Sequence, residues 1–262
     1  MSRQPEGWGR VGSGRNPAVG ARGRARGHER LEWCFLGRVD YPQALALQYA
    51  HAARVQAGAG PRLLLLEHPP TITLGRQADR RHLRLPEAEY RRRGVELFHV
   101  LRGGDVTYHG PGQLVGYPVA SLERLGLGVP AWVEGIARAL VEYLVQRGLP
   151  ARWSELHPGV WVDGAKIAAL GFHMQRRVST HGFALNLAPA LDDFEMIVPC
   201  GLANLGVTSM ARLGVPVPPM AEAAADLAAR IAAQLGWELG PALPAQAVLA
   251  EKADVDAVQM LR

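Results

Sequence analysis

Lys166 and Lys252 are the only lysines among 29 Lys and Arg side chains, and Cys34 and Cys200 are the only cysteines. A guanidinium stays protonated at physiological pH, whereas a lysine amine can take up and release a proton. A chain that otherwise writes positive charge as arginine has therefore kept proton-transfer chemistry at two positions, although drift toward arginine explains either lysine equally well alone. Cys200 lies in IVPCGL, with a rigid proline before it and a permissive glycine after it, the setting of a thiol presented at the end of an element. Cys34, in WCFLG, has the setting of a packed strand residue. A free thiol with a pKa near ~8.5 is roughly a few per cent thiolate at neutral pH; a neighbouring lysine raises that fraction as an ammonium or accepts the thiol proton as an amine. Spacing alone leaves Cys200 open between a nucleophile and a small buried hydrophobe.

A second concentration of chemistry runs from Arg102 to Pro118, RGGDVTYHGPGQLVGYP. Gly103, Gly104, Gly110 and Gly112 let backbone approach a ligand closely, while Arg102, Thr107, Tyr108, His109 and Gln113 offer side-chain donors and acceptors. Together they read as a binding loop between strands; the alternative is an elaborate turn that satisfies its own backbone. A third polar group comprises Lys166, His173, Arg176, Arg177, Ser179, His181 and Asn186. Alternation along a strand over 165–173 sets Lys166 beside Ala168, Leu170 and Phe172 on a mainly apolar face, where its ammonium either snorkels or is held for a purpose. Ile167, Ala169, Gly171 and His173 take the other face. The histidines fall on separate segments with no HExxH pair, and no GxSxG elbow occurs, so neither a metal centre nor a serine nucleophile is expected.

The elements that must position these residues follow from periodicity. Strands are expected at 31–39, 63–66, 71–74, about 95–101, about 114–119, 159–162, 165–173 and 177–187. Asp163-Gly164 and Arg176-Arg177 supply the turns of an antiparallel meander. Helices are expected at 41–56, ended by AGAG, at 130–146, with proline in its first turn, and at 220–235; 79–93 suits one or two surface turns. Nothing divides 31–262, which reads as one α/β domain around a mixed sheet with an irregular, weakly acidic stretch from about 240.

Hydrophobic residues at 48% and charged residues at 20% of 262 describe an ordinary globular chain. No apolar run reaches the roughly 20 residues of a membrane span and no signal-peptide core opens the chain, so a cytoplasmic protein without membrane partners is expected. The net charge of +5 suggests an anionic partner such as nucleic acid, but residues 1–30, a Gly/Arg-rich leader expected to be disordered, hold seven Arg and two Glu. The remainder balances at 22 basic and 22 acidic residues, so no nucleic-acid partner is expected. What survives is local: 76–102 holds eight Arg against four acidic residues, a candidate docking patch.

Five blocks, in order, resemble the motifs of the bacterial octanoyltransferase (lipoate-protein ligase B) family: EHPPTITLGR at 67–76, the 102–118 stretch, GVWVDGAKIAALG at 159–171, HGFALN at 181–186 and IVPCGL at 197–202. The resemblance spans about 31–215. It implies a mixed, largely antiparallel sheet with packed helices, as in the catalytic domains of biotin and lipoate protein ligases. It also implies transfer of an octanoyl group from octanoyl-acyl carrier protein to a lysine on lipoyl domains of E2 subunits and on the glycine cleavage H protein, the first step of endogenous lipoylation, without ATP, metal or cofactor. By the same resemblance Cys200 carries the acyl thioester and Lys166 sets its reactivity. Substrate contacts fall on Arg102, Gly103, Gly104, Asp105, Val106, Thr107, Tyr108 and His109, on Ala169, Leu170 and Gly171, and on Gly182, Phe183 and Ala184.

Overall fold

The computed structural model describes residues 29–198 and 206–251; the expected leader therefore lies almost wholly outside the described residues. The described strands are β1 (Arg30–Arg38), β2 (Arg62–Glu67), β3 (Thr71–Leu74), β4 (Glu96–His99), β5 (Val106–His109), β6 (Gln113–Val119), β7 (Arg152–Ser154), β8 (Gly159–Val162), β9 (Ala165–Gln175), β10 (Val178–Asn186) and β11 (Glu238–Ala242). Eight form one sheet in the order β11-β1-β2-β6-β10-β9-β8-β7, and three form a smaller one in the order β4-β3-β5. In the large sheet only β1–β11 and β1–β2 are parallel, which makes it mixed and largely antiparallel.

Both faces of the large sheet are covered, and the alternation of β2 makes this visible: Leu63 and Leu65 join one buried cluster, Leu64 and Leu66 the other. Helices α4 (Val129–Val145) and α5 (Met220–Leu235) cover the first face through Trp132, Ile136, Leu140, Leu227 and Ile231. Pro130 sits in the first turn of α4, and Gly236 ends α5 in the left-handed conformation. Helices α1 (Tyr41–Gln56) and α6 (Ala245–Leu249) cover the second face against Cys34, Leu64, Val115 and Tyr117. Cys34 is wholly buried, and burial pushes its thiol up to about 12, which makes it an inert packing residue. Short helices α2 (Glu87–Arg92) and α3 (Leu122–Leu125) complete the surface.

The meander from β8 to β10 matches the sequence reading, with Asp163-Gly164 and Arg176-Arg177 all at positive φ in two-residue turns. One expectation within it is corrected. Val160 pairs with Ala168 and Trp161 with Lys166, so β9 carries one residue more than β8, and that residue is Ile167. Both Ile167 and Ala168 enter the α4/α5 core, and Lys166 stands on the opposite side from Ala168 rather than beside it. The 102–118 block is likewise more regular than a loop, since β5 runs within it, antiparallel to β3. β11 contains Gly240 and Pro241, which the sequence reads as irregular; proline is accommodated because β11 is an edge strand.

β6 and β10 approach so closely that glycine is required at two neighbouring positions, Gly116 opposite Phe183 and Gly182 beside it. A Cβ on Gly182 would overlap the carbonyl oxygen of Gly116, and one on Gly116 would overlap the Phe183 ring. Gly182→Ala is expected to destabilise the fold by about 2 kcal/mol or more, as overpacking against backbone does. Gly60→Ala, whose added carbon meets nothing nearer than 3.5 Å, should stay within about 0.5 kcal/mol. Urea midpoints of the two variants test the contrast, and equal midpoints would refute it.

Candidate active site

Between the two sheets lies a cavity of about 410 Å³, within the range of small-molecule sites. Its lining includes Lys166, Arg102, Gly103, Gly104, Asp105, Thr107 and His109, the β9 run Ala169–Gly171 and the β10 run Gly182–Ala184. These are the sequence-predicted residues apart from three. Val106 and Tyr108 alternate with Thr107 and His109 along β5 and point into the core of the small sheet, where Tyr108 packs on Phe194 and donates to Asp193 at 2.5 Å. Cys200 lies outside the described residues. Sequence reasoning missed Tyr41, Val115, Tyr117 and Val133, and the 156–158 turn, whose Leu156 is 74% exposed at the rim. For Val115 and Tyr117 the signal was present in the alternation of β6; nothing local marked the others.

The glycine-rich segment meets β9 backbone to backbone. The Gly103 amide donates to the Phe172 carbonyl at 2.8 Å, and a Cβ on Gly171 would come within 3.0 Å of the Gly103 oxygen. Arg102 turns inward, 8% exposed, and its guanidinium donates to the Thr73 carbonyl at 2.6 Å and to the Thr73 hydroxyl. It is thereby removed from the surface patch. That patch is further reduced by pairing of Arg80 with Glu87, of Arg81 with Asp79 and of Arg92 and Arg93 with Glu89. Asp105 accepts from the Asp79 amide and sits 2.5 Å from His82 Nδ1, tying the segment to the 79–82 turn.

Lys166 is 8% exposed, with Nζ 4.9 Å from the centre of the Trp161 ring and 3.4 Å from the Pro158 carbonyl. Its backbone is held as closely: the Lys166 amide donates to Gly206 at 2.8 Å, and Thr208 donates to the Lys166 carbonyl at 2.9 Å. On the other flank the Val198 amide donates to the His82 carbonyl at 2.8 Å. Residues 206 and 208 are thus bonded to Lys166, and residue 198 to the turn held by Asp105.

The lipoyl protein ligase A/B catalytic domain model matches residues 40–232. An octanoyltransferase of Myxococcus xanthus is 47% identical over 194 residues, covering 71% of this chain and 54% of that protein. One of Alkaliphilus metalliredigens is 45% identical over 185 residues, covering 70% and 85%. The chain belongs to the octanoyltransferase family. It thus spans about half the length of the Myxococcus relative and most of the Alkaliphilus one. A bi-partite lipoate protein ligase of Thermoplasma acidophilum shares the fold, with a TM-score of 0.63 at 18% identity over 84% of this chain and 91% of that one.

Three buried histidines in and beside this octanoyltransferase-family site are kept neutral. His68 donates from Nδ1 to the Val39 carbonyl at 2.7 Å and accepts at Nε2 from the Tyr117 hydroxyl at 2.7 Å. Burial lowers His68 to about 4; His109 falls to about 3 through burial and the neighbouring His68, and His181 to about 3 through burial and Arg102. His51, outside the site, falls to about 4 for the same leading reason. His181 adopts a positive φ of 56°, and its amide is held by Gln48 Oε1 from α1 at 2.7 Å. Among the described residues no cluster of His, Cys, Asp or Glu could hold a metal ion, and no helix is long and apolar enough to cross a membrane.

A histidine whose folded pKa lies below its unfolded value binds its proton only on unfolding in the window between the two. The stability held at neutral pH is therefore lost as pH falls from about 6.5 toward about 4. Each histidine contributes up to about 1.4 kcal/mol per pH unit there. Urea unfolding between pH 7 and 4.5 should give a slope above that single-proton value, and a flat profile would contradict the neutral assignments.

Proposed function

We propose that this chain transfers an octanoyl group from octanoyl-acyl carrier protein to a specific lysine of lipoyl domains, in E2 subunits and the glycine cleavage H protein, through a thioester on Cys200. The observation that carries this reading is the bonding of Lys166, at the cavity wall, to Gly206 and Thr208, which follow Cys200 by six and eight positions in the sequence. Membership of a family whose curated relatives are octanoyltransferases supports an acyltransferase activity.

In the first step the Cys200 thiol loses its proton to the Lys166 amine and its sulfur attacks the thioester carbonyl; the carbon–sulfur bond to the carrier breaks and Lys166 returns the proton to the carrier thiolate. In the second step the amine of the target lysine attacks the Cys200 thioester, an amide forms, and the released thiolate is reprotonated through Lys166. One thioester is exchanged for another and amide formation draws the sequence forward, so the balance closes without ATP or metal. Leu170, Phe172 and Phe183 give the acyl chain an apolar wall, and removing its methylenes from water contributes about 0.8 kcal/mol each. Exposed Arg76, Arg84 and Arg91 remain to steer an acidic carrier.

Intact mass after incubation with octanoyl-acyl carrier protein, without ATP, should reveal an octanoyl adduct on the wild type and none on Cys200→Ala. No adduct, or one retained by Cys200→Ala, would overturn the mechanism. Lys166→Arg keeps the charge over Trp161 but cannot release a proton, so turnover should fall about 10²–10⁴-fold. Undiminished turnover would remove proton transfer from the role of Lys166.

A further inference from the structure

A line of buried side chains runs from the cavity to the segment that pins Lys166. His109 Nδ1 lies 2.8 Å from Gln113 Oε1, Gln113 Nε2 lies 2.9 Å from Asn186 Oδ1, and Asn186 Nδ2 lies 3.0 Å from the Thr208 carbonyl. Gln113 and Asn186 are 2% and 4% exposed. Thr208 in turn donates its amide to the Lys166 carbonyl.

The far end of this line dictates its near end. A peptide carbonyl can only accept, so Asn186 must face Thr208 with its NH₂ group and Gln113 with its oxygen. Gln113 must then donate from Nε2, an orientation reinforced by its second contact, 3.3 Å from the Tyr108 carbonyl. Its Oε1 is left toward His109, whose Nδ1 must carry the proton, so Nε2 holds a lone pair on a residue that lines the cavity. Reversing any one amide would set two acceptors or two donors face to face in the interior, at about 1–3 kcal/mol for each group left unsatisfied.

We propose that Gln113 and Asn186 are positioning residues that lock His109 as the Nδ1–H tautomer and hold Thr208 against Lys166. One buried network then sets both the cavity wall and the mount of the lysine. The substrate group met at His109 Nε2 is accordingly a donor, an N–H or S–H, and not a carbonyl oxygen. This deepens the acyl-transfer reading and rests on it for the activity test alone.

The tautomer is read directly from long-range ¹H–¹⁵N correlations on the full chain with ¹⁵N-histidine, with the His109 signals assigned through His109→Asn. His109 should appear as the Nδ1–H tautomer and stay unchanged from pH 6 to 8. The groups facing it are Arg102, His68, His181 and Tyr41, and none supplies a carboxylate that would favour imidazolium. An Nε2–H tautomer, or titration in that range, overturns the proposal whether or not the protein transfers octanoyl groups. Asn186→Asp is nearly isosteric but donates to Thr208 only when protonated. Its turnover of octanoyl-acyl carrier protein should be at least tenfold below wild type at pH 8, where the carboxylate cannot donate, and should recover toward wild type as pH falls and the carboxyl is protonated. Turnover equal to wild type at pH 8 would leave Asn186 a packing residue and refute its positioning role. Should Asn186→Asp fail to fold, the wild-type tautomer still decides.

Discussion

β9 carries one residue more than its partner β8 between the pairs at Val160 and Trp161, and the side of the sheet on which Lys166 stands depends on that difference. Without the bulge at Ile167, Lys166 would share a face with Ala168 and enter the core beneath α4 and α5, where an ammonium has no polar surroundings. With it, the core receives Ile167 and Ala168 together, and the lysine is delivered to the Trp161 ring, the Pro158 carbonyl and the cavity. The same stretch of β9 offers the Lys166 amide and carbonyl to Gly206 and Thr208, so the bulge also creates the mount for the segment beyond Cys200. Bulges re-aim side chains at functional sites, and this one does so at a cost of one ladder position.

The site around Lys166 is largely apolar, and two of the polar groups around it are held by partners within the protein. His68 is clamped between a carbonyl and a tyrosine hydroxyl, and Arg102 is satisfied by Thr73. Such a wall suits an alkyl chain, because Leu170, Phe172 and Phe183 offer it apolar surface while His68 and Arg102 keep their partners. The close backbone contact between Gly103 and Phe172 ties the segment before β5 to β9 of the large sheet at one wall of the cavity.

Much of the fold was legible in the sequence where local physics decides it. The helices at α1, α4 and α5, the uninterrupted apolar β2 and the two-residue turns of the meander carry periods and turn residues that tertiary context did not override. The strands that escaped were short or rule-breaking ones: β5 within a glycine-rich block and β11 with its internal proline, which exist through pairing with distant strands, and the three-residue β7, held by its neighbour β8.

The candidate site divides in the same way. Residue chemistry and spacing, read with the resemblance of five ordered blocks, singled out Lys166, Cys200, the 102–109 segment and the β9 and β10 runs, because proton transfer, nucleophilicity and close backbone approach are properties of residue types. Which side of the sheet Lys166 occupies, that Val106 and Tyr108 turn from the cavity, and that Gln113 and Asn186 link His109 to Thr208 were decided by strand register and by contacts between residues up to 86 positions apart. A periodic pattern assigns faces only while the register is unbroken, and one extra residue in one strand reverses every assignment on its far side.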